Sequence, residues 1–77
     1  MKEEELIAII AHALDEEISD ININSSSDDV MAWDSLGQLS ILSAIDSELQ
    51  GKLGDDMMSS LASKMSVREL FEAVKEF

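Results

Sequence analysis

Near the start of the chain, apolar residues recur at steps of three and four, at Leu6, Ile7, Ile10, Leu14 and Ile18. The spacing puts them on one face of an amphipathic helix and predicts helix from about Lys2 to Ile18. Glu3, Glu4 and Glu5 fall in its first turn, where the helix dipole favours negative charge. A second helical pattern starts at Ser35, with Leu36, Leu39, Leu42, Ile45 and Leu49 at intervals of three or four. At 100° per residue the last four of these share an apolar sector, and Ser40, Ser43, Ser47 and Gln50 form a polar stripe on the other side. Gly51 and Gly54 bracket the end of the pattern.

Two shorter patterns follow. Asp55 or Asp56 is a candidate cap for a short third helix bearing Met57, Met58 and Leu61. Ser66-Val67-Arg68-Glu69 fits the capping box, a Ser followed three residues later by Glu, and predicts a last helix with Val67, Leu70, Phe71, Val74 and Phe77 on one face. Between the first two helices Ser19 to Trp33 is polar, and its Ile21-Asn22-Ile23-Asn24 alternation is too short and isolated for a sheet. The two isoleucines are expected to pin a loop onto the bundle. Ser25-Ser26-Ser27-Asp28-Asp29 offers caps for a helical turn through Val30 and Met31. The expected fold is all-α, a four-helix bundle with three main helices and a short third helix, in which short loops make the last three elements antiparallel neighbours.

Composition narrows what such a bundle can do. At 77 residues the chain is expected to be one domain, residues 1–77, with little room for a deep enzymatic cleft. Seventeen acidic against five basic residues give a formal net charge of −12, which repels nucleic acid and anionic lipid and makes basic protein surfaces the natural partners. No apolar run approaches the ~18–20 residues that span a bilayer, and the acidic opening Met1-Lys2-Glu3-Glu4-Glu5 lacks the cationic segment of a secretory signal. No membrane insertion, a cytoplasmic location and a monomer are the expectations. Cysteine is absent, so any thiol chemistry must use a borrowed thiol. The single histidine, His12, sits in the amphipathic pattern of the first helix with no evident second group to orient it, and is expected to face solvent. Phosphate loops, metal-ligand spacings and calcium loops are missing, and the pairs Asp28-Asp29 and Asp55-Asp56 are expected to be solvated surface acids.

One stretch remains, Met31-Ala32-Trp33-Asp34-Ser35-Leu36, where the polar loop gives way to the second helical pattern. Ser35 has the makings of a helix N-cap, with Gln38 three residues on completing a capping box worth about 1 kcal/mol. A phosphate on the Ser35 oxygen would lie beside unpaired backbone amides at the positive end of the helix dipole.

With these residues in view the chain resembles the phosphopantetheine-dependent acyl carrier proteins. Asp34-Ser35-Leu36 matches that family's attachment motif near mid-chain at the start of the second helix. The order of helices, the long first loop, the small size and the acidity extend the resemblance over essentially the whole chain. It implies an acyl-carrier-like bundle in which Ser35 carries 4'-phosphopantetheine, donated by coenzyme A through a separate phosphopantetheinyl transferase. The arm's thiol would hold acyl groups as thioesters, so the chain would be a non-catalytic substrate of synthases, acyl-transfer and acyl-activating enzymes with basic patches. Asp34 and Leu36, with Asp46 and Glu48 further along the helix, would be recognised by partners. Leu39, Leu42, Ile45, Met58, Leu61 and Met65 would line an acyl pocket, although plain core packing explains each of them singly.

Two features depart from the principal fatty-acid carriers. The exposed stripe of the second helix is neutral where those carriers display acids, which weakens electrostatic steering and makes a specialised acyl, polyketide or aminoacyl pathway the alternative to the fatty-acid or related acyl-transfer biosynthesis that the resemblance implies. Trp33 replaces the small or acidic residue common before the motif, with loop anchoring or partner contact as its alternative roles. Gly37 costs about 1 kcal/mol of helix propensity, for which closer access by the arm or a partner and a merely tolerated substitution are alternative explanations. The competing expectation is an unmodified acidic interaction module in which Ser35 is only a cap.

Overall fold

A computed structural model describes residues 1–77, with four α-helices and no strand. The helices are α1 (Glu3–Ala13), α2 (Ser35–Glu48), α3 (Gly54–Leu61) and α4 (Val67–Val74). Helix α1 is the hub and packs on both α2 and α4. Leu6, Ile10 and Ala11 of α1, Ile41 and Ile45 of α2, Leu61 of α3, and Val67, Leu70 and Val74 of α4 are excluded from solvent altogether. Complete burial of one such aliphatic side chain contributes roughly 1.5–3 kcal/mol, so this cluster is the main source of stability.

Helix α1 ends five residues before the expected Ile18. Asp15 takes a left-handed conformation, φ 57°, and its amide donates to the His12 carbonyl at 3.1 Å while the Glu16 amide donates to that of Ala11 at 2.8 Å. These two bonds form a Schellman stop, which satisfies the last carbonyls of the helix without glycine or proline. Aspartate is one of the few residues that tolerates this backbone, and it overrides the hydrophobic spacing. Ile18 therefore begins a 3₁₀ turn, Ile18–Asp20, and is 59% exposed. Helix α2 stops in the same way: Gln50 at φ 56° donates to the Ser47 carbonyl, and Gly51 donates to that of Asp46.

The long first loop is fastened at several points. Ile21 is buried and Ile23 packs against the core, as expected of the two isoleucines. The Ser25 carbonyl accepts from the Val67 amide at 3.0 Å and the Ser27 amide donates to the Met65 carbonyl at 2.9 Å, tying the loop to the start of α4. Ser26 and Ser66 form an isolated antiparallel bridge. The expected helical turn at Val30 and Met31 is a turn without a helix, closed by Val30 and Asp29 amides donating to the Ser26 carbonyl.

Caps decide the remaining boundaries. Ser66 caps α4 as its motif predicts: its hydroxyl accepts from the Glu69 amide at 3.2 Å and donates to the Glu69 carboxylate at 2.8 Å. Neither Asp55 nor Asp56 caps α3, whose N-cap position is Leu53 with no side-chain bond. Both aspartates lie inside the first turn instead, where their charge favours the dipole. Phe77 falls beyond the end of α4 and is exposed rather than on its packed face. No helix is long and apolar enough to cross a membrane.

Candidate functional site

The loop reaches α2 at Asp34, and here the chain departs from the expected capping box. Asp34 is the N-cap: its carboxylate oxygen Oδ1 accepts from the Gly37 amide at 2.9 Å. Ser35 is the first helical residue, exposed, and its hydroxyl makes no hydrogen bond within the chain. The Ser35 and Leu36 amides also donate to no protein acceptor. Aspartate accepts as well as serine at this position, and once Asp34 caps, the serine oxygen is left free.

Gln38 points inward instead of back to the cap. Its side-chain oxygen accepts from Trp33 Nε1 at 2.6 Å, and its Nε2 donates to the carbonyls of Leu61 and Lys64, each at 3.0 Å. Gln38 is 4% exposed and Trp33 2%. One amide side chain thus joins the site loop, α2 and the C-terminal end of α3. The burial of Trp33 assigns it to loop anchoring.

Burial of Gln38 also sets the rotation of α2. Gln38, Ile41, Leu42 and Ile45 face the core, and Leu39, about 120° around the helix from Ile45, is 62% exposed. The sequence pattern misplaces Leu39 and omits Ile41 because it counts a glutamine as surface. The hydroxyl stripe of Ser40, Ser43 and Ser47 is exposed as expected.

Gly37 has a packing role. A Cβ there would run into the Ala32 carbonyl oxygen and approach Leu14 Cδ2 to 2.9 Å. The missing side chain lets the site loop and α1 close on α2, and no arm or partner is needed to account for it.

The expected pocket residues divide into two groups. Ile45 and Leu61 are sealed in the core and line no cavity. Leu39 and Leu42 line two adjoining open grooves between α2 and α3. The first, of about 250 Å³, runs beside Ser35 with Gln38, Ala62 and Met65. The second, of about 500 Å³, includes Ser43, Asp46, Met58 and Ser59. The acids expected to act together face apart: Glu48 is on a separate groove of about 400 Å³ with Glu5, Ile9 and His12. His12 is exposed, and no group of three or more His, Asp or Glu side chains is placed to hold a metal ion.

Leu36 is 74% exposed, and Met31, which the sequence reading assigned to a helical turn, is 97% exposed. Together with Leu39 they give the site loop and the first turns of α2 three large apolar side chains in water. The signal for Met31 was its position, an apolar residue in a polar loop with no periodic partner. Compared with family models, curated proteins and solved structures, the chain matches none.

Proposed function

We propose that the protein is an acyl carrier whose Ser35 bears a 4'-phosphopantetheine arm. The observation that carries this reading is the free, exposed Ser35 hydroxyl in the first turn of α2, left unbonded because Asp34 holds the cap. The residues fit the group: unpaired amides of Ser35 and Leu36 lie where a phosphodiester would sit, and an open groove begins at Ser35. The arm would supply the thiol that a cysteine-free chain lacks.

In the transfer reaction the Ser35 oxygen forms the bond to the phosphorus that carries pantetheine, and adenosine 3',5'-bisphosphate leaves from coenzyme A. The serine proton passes to a base on the transferase, because no candidate base bonds the hydroxyl within this chain. Asp34 fixes the helix start and hence the direction of the oxygen. Leu36, Leu39 and Met31 offer apolar contacts to the transferase and to the enzymes that load and unload the thiol. The chain itself is non-catalytic.

Incubation with coenzyme A, magnesium and a broad-specificity phosphopantetheinyl transferase, followed by intact-mass measurement, tests the reading. One added phosphopantetheine is expected, and none on Ser35→Ala. An unchanged mass in both would leave the acidic bundle an unmodified interaction module, with Met31, Leu36 and Leu39 as its contact surface.

A further inference from the structure

Only two polar residues are buried in this chain, Ser25 and Gln38, and Gln38 is the one with a long side chain. It stands one turn after Ser35 on the same side of α2, and the two residues line one groove. Gln38 is the floor of that groove at 4% exposure. Beneath it lie Ile41, Ile45 and Leu61, which are excluded from solvent and line no cavity.

The amide is fully committed. Its oxygen accepts from the Trp33 indole, and the two N–H groups of Nε2 go to the carbonyl of Leu61, the last residue of α3, and to that of Lys64 in the turn beyond. No buried side-chain nitrogen or oxygen lacks a partner. Below Ser35 the seam between α2 and α3 is therefore closed by hydrogen bonds, whereas apolar contacts alone would yield to an apolar guest.

An acyl chain on the arm would have to break the two bonds that cross from Gln38 to α3 in order to pass from Ser35 into the core. It has no donor or acceptor to replace them. Two carbonyls and two N–H groups left unpaired in a dry interior offset the burial of roughly five to fifteen methylenes. The six methylenes of an octanoyl chain fall at the low end of that range even if all are buried, and the chain loses rotational freedom as it enters. A chain of about eight carbons or fewer thus gains nothing inside.

We infer that Gln38 is a specificity-determining residue, a polar bolt that keeps the arm's acyl group out of the bundle and suits the carrier to short or polar acyl groups, which water tolerates. The inference rests on the carrier reading and adds the substrate class. It gives a long saturated chain no shelter in this protein: such a chain stays in water and is handed on with its apolar surface exposed.

The test loads the apo protein with arms from butyryl-coenzyme A and octanoyl-coenzyme A and confirms loading by intact mass. The two loaded forms of the parent protein are expected to share one thermal midpoint and to show the same methyl NMR shifts for Ile41, Ile45 and Leu61, while retention on a hydrophobic-interaction column rises with chain length. Gln38→Met, nearly isosteric but unable to donate, removes the bolt. Its octanoyl form should melt at least about 5 °C above its own butyryl form, with shifted Ile41, Ile45 and Leu61 methyls. Trp33→Phe, the milder change, frees the Gln38 oxygen and should show the same difference to a smaller extent. Comparing two cargoes on one variant separates exclusion from the loss of stability that any disturbance of Gln38 brings. A higher midpoint and shifted core methyls for the octanoyl form of the parent overturn the inference while the carrier reading stands, and so does the absence of any chain-length effect in both variants. Failure of either arm to add mass overturns the carrier reading and this inference with it.

Discussion

The indole Nε1 of Trp33 donates to the side-chain oxygen of Gln38 at 2.6 Å, across the junction between the site loop and α2. Both groups are buried, so each depends on the other for its hydrogen bond. Gln38→Leu removes the acceptor of Trp33 and the donor of the Leu61 and Lys64 carbonyls, and should destabilise by about 2–4 kcal/mol. Trp33→Phe should cost less, about 1–3 kcal/mol, because the ring volume is partly kept. In urea unfolding the double variant should lose less than the two single losses added together, since the pair shares one bond.

Gly37→Ala tests the close approach of loop and helix. In an open helix the substitution would gain about 1 kcal/mol. Here the new methyl meets the Ala32 carbonyl oxygen and Leu14, so a net loss of about 1–3 kcal/mol is expected. Thermal unfolding should show a lower midpoint, and an unchanged or raised midpoint would refute the packing role.

The caps separate Asp34 from Ser35. Asp34→Ala deletes the bond to the Gly37 amide and should cost about 1 kcal/mol, whereas Ser35→Ala removes no hydrogen bond and should stay within about 0.5 kcal/mol of the parent. Asp34→Asn keeps an oxygen for the cap while losing the charge. Parent-like stability with slower loading by the transferase would assign the charge to recognition, and equal loading would assign Asp34 to capping alone.

Gln50 holds a left-handed backbone at the end of α2 without the freedom of glycine. Gln50→Gly should therefore stabilise, by about 0.5–1 kcal/mol after the entropy of the unfolded glycine is offset. Asp15→Gly should gain less, because aspartate already tolerates that conformation. A loss of stability in chemical denaturation for Gln50→Gly would contradict this account of the helix stop.

The helices that the sequence announced most clearly were those whose apolar spacing agreed with their caps, and Ser66 with Glu69 is the best case. Misreadings came from polar residues acting against type. Asp15 ends a helix that the spacing of Leu14 and Ile18 continues, and Gln38 occupies a core position that hydrophobic spacing gives to Leu39. Spacing carries no record of carbonyls 23 and 26 residues further along the chain that need a donor; the demand of Leu61 and Lys64 becomes visible only when α3 is folded against α2. Ser35 lies at the start of α2, as the pattern predicts, but the capping role expected of it is performed by Asp34. Asp46 and Glu48, two residues apart on α2, stand about 200° from each other around the helix, so their division between two grooves is already written in their spacing.

Trp33 is the only tryptophan, and the chain has no tyrosine. Near-ultraviolet absorption and fluorescence therefore come almost wholly from one indole, two residues from Ser35 and bonded to the side chain that closes the bundle. Excited at long wavelength, the protein carries its own optical probe at the start of α2, so rearrangement of the loop or loss of the Gln38 bond alters the colour and polarisation of its emission without any added label.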